Sequence, residues 1–525
     1  MASEDAPVNP IPKDLTLDAA RPAQAVPRLA GRAPRLGVLM IASEVAPWAK
    51  TGGLADVTGA LPAALDRLGH RITLVMPRYR GSDLAGAMVS TRTIRLGTAV
   101  HEVGFHVLSL SARRRLVMVD VPRLFNREGY YGTGGRDFDD SAERFGVLAV
   151  AALDFAQHDA SETSWDIVHA HDWQAGLAPT LLKVDAARFP RLRDAGSVFT
   201  IHNLAYQGLF PRDVVPGLGL PWNVFTLETG EFYGRFSFLK AGLVYSDYLT
   251  TVSPTYARET QDARFGAGLE GVLFARRNRY TGILNGIDTE AWDPASDPYV
   301  PAHFDTEHLE GKAACKRVLL EHFGLSVGDD ALARPVVGMV SRLVEQKGLQ
   351  LIEEAADALV ALDATWVFLG TGHPRFERFL RELAARYPLR VSTHIGFDER
   401  LAHLVEAGAD MFLMPSIFEP CGLNQMYSLR YGTVPIVTAV GGLDDTIQPY
   451  TARASGANGF KFREQTADAL TRTVRQAVRL YHDKSAWLPL MRQGMLADHS
   501  WETSAREYVK VYRRAKQAAA FRVAG

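Results

Sequence analysis

The sequence predicts an α/β protein of two domains, each built on a doubly wound, largely parallel sheet. Three observations carry this. From Leu36 onward, short apolar runs of strand length alternate with amphipathic stretches of helical period. The alternation breaks where prolines gather around Trp292-Asp293-Pro294, and it resumes at Pro335-Val336-Val337-Gly338-Met339-Val340. With 525 residues, 47% of them hydrophobic, the chain is also too long for one ordinary core.

In the first half, Leu36 to Ala42 reads as a buried strand, and Leu54 to Leu68 as the helix after it, with Lys50 and Gly52-Gly53 on the turn between them. Arg71 to Met76 is a second strand. Thr93 to Leu96, Val103 to Leu110 and Leu116 to Val121 follow without helices and suggest an antiparallel excursion. A glycine- and aromatic-rich loop, Asn126 to Asp140, precedes a helix from Ser141 to His158. Two strands then end in polar clusters, Asp166 to Trp173 with His169 and His171, and Ser197 to Asn203 with His202. Ligands of open α/β sheets bind at that edge of the strands.

The second half repeats the scheme. Strands at 335–340, 366–369, 390–394, 411–414 and 434–437 alternate with helices at 349–362, 375–386, 400–407 and 423–431. Amphipathic helices at 467–481, 487–496 and 504–520 close the chain, the last placed to cross back over the first half. The expected division is a disordered leader at 1–35, a first domain at 36–283, a connection at 284–333, a second domain at 334–500 and a returning helix at 501–525, with a cleft between the two domains.

Composition narrows the partners. Lys plus Arg (58) nearly equals Asp plus Glu (59), so no global field recruits nucleic acid or an anionic membrane, and a small or neutral partner is expected. No apolar run reaches the ~18 residues of a membrane span. The first 35 residues lack the apolar centre of a signal peptide and carry four acids, against a transit peptide. Two cysteines, Cys315 and Cys421, suit a reducing compartment and no disulfide framework. A cytoplasmic protein is the expectation.

Glycines at a strand-to-helix turn let an anion approach amides that the helix leaves unpaired, and Lys50 would add a full charge; the alternative is a tight turn with a solvated lysine. Arg342 and Lys347, with Gly348 opening the next helix, suit a diphosphate as well as they suit solvated surface. Pro420 fixes an extended backbone at Glu419, whose carboxylate either grips a ligand or caps the helix behind Gly422. Gly441-Gly442-Leu443-Asp444-Asp445 repeats the Gly-Gly-Leu-x-Asp pattern of Gly52 to Asp56. Each histidine alone suits a structural role as well as a catalytic one, and His-x-His without a spaced third ligand does not make a zinc site. No Gly-x-Gly-x-x-Gly fingerprint follows the first strand, which disfavours a dinucleotide oxidoreductase, and no Walker-type loop appears either.

Together, Lys50-Thr51-Gly52-Gly53-Leu54-Ala55-Asp56-Val57, His169-Ala170-His171-Asp172-Trp173, His202 to Gly208, Ser341-Arg342-Leu343 with Gln346-Lys347-Gly348, and Glu419-Pro420-Cys421-Gly422-Leu423 resemble, in order and spacing, the bacterial glycogen synthase and plant starch synthase family. The resemblance covers roughly Leu36 to Lys516. It implies a GT-B fold, two Rossmann-like domains facing each other across a deep cleft. It also implies retaining transfer of glucose from ADP-glucose to the non-reducing end of an α-1,4-glucan such as glycogen, with no cofactor and no metal.

Carried onto this chain, the resemblance assigns Arg342 and Lys347 to the diphosphate and to the charge of the leaving ADP, Glu419 to the glucose hydroxyls, and His202 to a place beside the donor glucose. Lys50, Gly52, Gly53, Asp56, Asn203, Phe397, Cys421, Gly422, Leu423, Asn424, Gly441 and Gly442 become nucleotide-sugar contacts, and Tyr130, Tyr131 and His171 acceptor contacts. Asn424 and Phe397 depart from the family's commoner Thr or Ile and Tyr, and Tyr427 stands where the wider retaining class often has a second glutamate. The competitors are a non-catalytic glucan-binding protein and the same reaction with UDP-glucose. Oligomeric state does not follow from the sequence.

Overall fold

A computed structural model describes residues 35–82, 84–134 and 136–524, so the expected leader lies, but for Arg35, outside the described residues. The chain forms two compact units. One holds the described residues up to Thr250, Gly266–Tyr280 and the helical end from Ala505; the other holds Thr251–Phe265 and Thr281–Ser504. The expected boundary at 283 therefore shifts, because Thr251–Phe265 is bonded into the second unit. Ser253 Oγ donates to the carbonyl of Pro420 at 2.6 Å, and Thr255 donates through N and Oγ1 to the Asp445 carboxylate at 2.8 and 2.7 Å.

The first unit is built on a nine-stranded sheet. In chain order the strands are β1 (Gly37–Ile41), β2 (Arg71–Pro77), β3 (Met88–Leu96), β4 (Ala99–Ser109), β5 (Arg114–Asp120), β6 (Ile167–His171), β7 (Gly196–Ile201), β8 (Tyr248–Thr251) and β9 (Tyr280–Gly282); in space they run β9-β8-β7-β6-β1-β2-β5-β4-β3. β1 pairs in parallel with β2 and β6, and β2 with β5, while β4 is antiparallel to β3 and β5. The three-strand excursion is thus an extension at one edge. Central strands β1, β6 and β7 are buried throughout, as a sheet covered on both faces requires. The final helix, Trp501–Ala524, lies so close to β7 that a Cβ on Gly196 would stand 2.5 Å from the backbone of Ala515.

The second unit carries an all-parallel sheet of β10 (Val336–Val340), β11 (Thr365–Gly370), β12 (Val391–Ile395), β13 (Met411–Met414), β14 (Val434–Thr438) and β15 (Phe460–Phe462), in the spatial order β12-β11-β10-β13-β14-β15. Alternate side chains feed two separate cores. Val337, Trp366, Phe368, Met411 and Ile436 pack with Leu349, Ile352 and Val474 on one face. Val336, Val367, Leu369, Phe412 and Val437 pack with Leu319, Leu404 and Leu443 on the other. Successive residues of a strand point to opposite faces, so an unbroken apolar run is what a sheet buried on both sides requires. Among the described residues no helix is long and apolar enough to cross a membrane.

Candidate active site

In the first unit, β1 runs into Ser43 and Glu44, both buried. The Glu44 carboxylate gathers the turn beyond it. Oε2 accepts the Thr51 N–H at 2.5 Å, Oε1 accepts Thr51 Oγ1 at 2.7 Å and the Tyr131 hydroxyl at 2.5 Å, and the Gly52 N–H is a further donor. Burial pushes the Glu44 carboxyl above its usual range, and these donors pull it back towards the ionised form. Gly52 is extended and nothing lies within 4 Å of a Cβ built on Gly52 or Gly53, so neighbouring atoms do not demand glycine there. Lys50, half exposed, lies 2.6 Å from Asp56 Oδ1; it is paired, rather than solvated alone.

Three neighbours are the expected acceptor contacts. The Tyr131 hydroxyl is tied to Glu44 and lies 2.9 Å from Ser43 Oγ, which fixes the tyrosine to the turn. Tyr130 lies against Tyr79, with ring centroids 4.6 Å apart. His171 is wholly buried, so it supports its neighbour instead of touching glucan.

That neighbour is His202, at the end of β7 beside the end of β6. His171 Nδ1 and His202 Nε2 are 2.9 Å apart, so one ring donates and the other accepts. Burial lowers both, His202 to about 3. Asp172, at φ +55, accepts the backbone N–H of His202 at 2.7 Å, and burial pushes its carboxyl up to about 7. His169 is structural: its ring nitrogens meet Tyr512 OH at 2.8 Å and Thr200 Oγ1 at 2.6 Å. Asn203 Oδ1 accepts the Ala205 N–H at 3.0 Å and stiffens the loop after His202.

In the second unit, Arg342 leaves β10 exposed, and among the described residues its guanidinium has no hydrogen-bond or ion-pair partner. Gly348 sits at φ +73, and a Cβ there would stand 1.9 Å from the carbonyl oxygen of Pro415. That close approach locks the 342–348 loop onto the turn after β13. Ile417 N donates to Gln346 O at 2.8 Å, and Lys347 Nζ meets Glu419 Oε2 at 2.6 Å, where Ser416 Oγ also donates at 3.0 Å. Cys421 is buried and its thiol is pushed up to about 12, which leaves only backbone to present. Gly422, at φ +73, and Leu423 lead into the helix Asn424–Arg430, whose leading amides have no intrahelical acceptor. The Asn424 side chain is already committed, donating to Val340 O at 2.8 Å. Phe397 is 72% exposed beyond β12.

Gly441 and Gly442 differ from Gly52 and Gly53 despite the shared pattern. Gly441 N–H donates to the Glu259 carboxylate at 3.0 Å, and Gly442 N–H to Glu419 O at 3.1 Å. Added Cβ atoms would meet Glu419 O at 1.8 Å and Cys421 O at 2.0 Å. This turn holds the Glu419 segment from behind and has no free amide for a phosphate. Glu44, Asp172, Ser416 and Glu259 went unread in the sequence. Glu44 carried a usable signal, since a carboxylate directly after an all-apolar strand must gather donors.

Residues 37–275 match the family profile described as starch synthase catalytic domain, and residues 330–487 that of glycosyl transferases group 1. The glycogen synthase of Anaeromyxobacter dehalogenans (strain 2CP-C) is 51% identical over 480 residues, 91% of this chain and 99% of that one. That of Koribacter versatilis (strain Ellin345) is 46% identical over 485 residues, 91% and 98% of the two. The catalytic domain of starch synthase IV from Arabidopsis thaliana, solved bound to ADP and acarbose, superposes with a TM-score of 0.82 at 32% identity, covering 92% of this chain and all of that one. A sucrose-phosphate synthase from Thermosynechococcus elongatus, at TM-score 0.56 and 17% identity, shares the fold. The two α/β units with parallel sheets are those of GT-B glycosyltransferases, and the chain belongs to the glycogen synthase and starch synthase family.

Proposed function

We infer that the protein is a cytoplasmic glycosyltransferase that moves glucose from ADP-glucose to the non-reducing end of an α-1,4-glucan, with retention of configuration and release of ADP. The observation that carries the site chemistry is the Lys347–Glu419 pair, with Arg342 on the same loop as Lys347 and unpaired among the described residues. Two cations against one carboxylate leave a net positive charge where a diphosphate would develop its own charge as the bond to glucose breaks. A cradle already in place for that charge lowers the barrier without a protein acid to protonate the leaving group. Lys347 and Ser416 both meet Oε2 of Glu419, which leaves Oε1 for a sugar hydroxyl.

In the first unit, Lys50 and the open Gly52-Gly53 turn offer a charge and unobstructed backbone, and His202 offers a hydrogen-bonding group. His202 stays neutral near pH 7, so it contributes as a hydrogen-bonding and backbone group rather than as a cation. With Glu419 given to a sugar hydroxyl, no other carboxylate among the described residues stands out as a nucleophile, which favours a front-face route in which the acceptor attacks from the leaving-group side; a trapped covalent glucosyl-enzyme would overturn that route. Because Arg342 and Lys347 supply the charge, turnover should survive exhaustive chelation by EDTA.

Incubation of the purified protein with glycogen and labelled ADP-glucose or UDP-glucose tests the assignment. Incorporation from ADP-glucose is expected. A preference for UDP-glucose would replace the donor, and no incorporation from either would leave a glucan-binding protein without this activity.

A further inference from the structure

Three non-glycine residues among the described ones have positive φ: Asp172, Tyr233 and Ala267. Asp172 belongs to the His202 cluster. Tyr233 stands on the surface of the first unit, where a Cβ on Gly268, the residue after Ala267, would lie 3.5 Å from its ring.

Tyr233 and Gly234 form the two-residue turn between strands Glu231–Phe232 and Arg235–Ser237, in which Phe232 faces Arg235. Their φ values, +48 and +78, are those of a type I′ hairpin turn, where asparagine followed by glycine is the favoured pair. A bulky aromatic there is strained, and this one is also 83% exposed. Fold stability alone therefore favours asparagine. The packing in the hairpin is done by Phe232: its ring would stand 2.9 Å from a Cβ on Gly268, and it meets the Tyr233 ring edge-on at 4.7 Å. Gly234 N–H is fixed by Glu231 Oε1 at 2.6 Å. The base is rigid and the tyrosine ring is held out on top of it.

The hairpin is joined to the loop that starts at His202. Gln207 Nε2 donates to Ala267 O at 2.9 Å, Gln207 O accepts Ser237 Oγ at 3.1 Å, and Gly208 O accepts the Phe238 N–H at 3.1 Å. Tyr206, on the same loop, is 49% exposed. Beside the turn, Glu231 accepts from the Gly234 N–H and Arg235 Nη2 donates to Leu209 O, which orders both side chains and leaves the tyrosine ring at the tip.

We propose that Tyr233 is a stacking platform for the α-glucan acceptor. An aromatic face suits the apolar C–H face of a glucose ring, and the hydrogen bonds that tie the hairpin to the loop after His202 hold the platform to that loop. The proposal rests on the glucosyl transfer assigned above, whose acceptor side it specifies.

The test compares Tyr233→Asn and Tyr233→Trp with the parent chain, using maltohexaose by titration calorimetry and as acceptor at saturating ADP-glucose. Tyr233→Asn is expected to keep or raise the thermal midpoint while weakening the maltohexaose Kd and acceptor KM roughly fivefold or more, the loss of one aromatic stack. The KM for ADP-glucose should stay put, and Tyr233→Trp should bind like the parent. The proposal is overturned if Tyr233→Asn matches the parent in both Kd and acceptor KM, if Trp is as weak as Asn, or if the parent binds no maltohexaose. A smaller sedimenting species for Tyr233→Asn would also overturn it, by making Tyr233 a contact between copies. Should the parent bind maltohexaose yet transfer no glucose, the reaction fails, and the calorimetric comparison still decides the role of Tyr233.

Discussion

Lys347 Nζ and Glu419 Oε2, 72 residues apart in sequence, are 2.6 Å apart in space, and both side chains are mostly buried. Neither is there to hold the turn together, since Gly348 and Ile417 do that through backbone contacts. Lys347→Ala or Arg342→Ala should cut turnover by at least ~100-fold, the loss of leaving-group stabilisation worth a few kcal/mol. Steady-state kinetics with ADP-glucose and glycogen would show it, and near-normal kcat in either variant would remove that residue from the mechanism. The double variant Lys347→Ala/Glu419→Ala should cost much less than the product of the two single losses, because each single variant leaves the other charge buried without its partner.

Lys50 and Asp56 form an exposed pair, of the kind that contributes about 0–1 kcal/mol to stability. Lys50→Ala should leave the thermal midpoint almost unchanged while raising the KM for ADP-glucose. Unchanged KM and kcat would return Lys50 to a surface role.

Glu44 is the pin of the Gly52-Gly53 turn. In Glu44→Gln an amide NH2 replaces one of two oxygens that face donors only, so a buried donor loses its acceptor at a cost of about 1–3 kcal/mol. The expected result is a lower denaturation midpoint together with a raised donor KM. A variant that keeps both values would show that the turn is ordered without Glu44.

The histidine pair gives a pH signature. In the unfolded chain a histidine takes up its proton near 6.5, whereas folded His202 resists until about 3. Between those values the unfolded state binds more protons, so this group lowers stability as pH falls, by about 2 kcal/mol at pH 5. Asp172, raised to about 7, acts in the opposite sense over its own window, so comparison with a variant is needed to isolate the histidine. His202→Gln should lose less stability than the parent between pH 7.5 and 5, measured by urea midpoints. Equal losses would mean that the folded pair is protonated in that range.

The strands and the order of the motifs were legible in the sequence because they are local: an apolar run of five residues with a polar cluster at its end needs no partner to be seen. Partners were not legible. Gly52-Gly53 and Gly441-Gly442 share one pattern, yet the first faces open space and the second presses against the carbonyls of Glu419 and Cys421. The chain path past Thr251 was misjudged for the same reason, since what binds Thr255 is Asp445, 190 residues later. Tyr233 went unnoticed because its strain lies in φ, and Phe-Tyr-Gly reads as ordinary strand.

The first unit needs residues from both ends of the chain. His169 finds its hydroxyl partner in Tyr512, and Asp166, which caps the Gly37 amide, is paired with Lys516. A ribosome that has finished Tyr280 has made nearly all of this unit but neither of those groups. Native completion of the first domain must therefore wait until the second has been synthesised, and a nascent chain stalled or truncated before Ala505 should expose a buried histidine and an unpaired carboxylate to the cell's quality-control machinery.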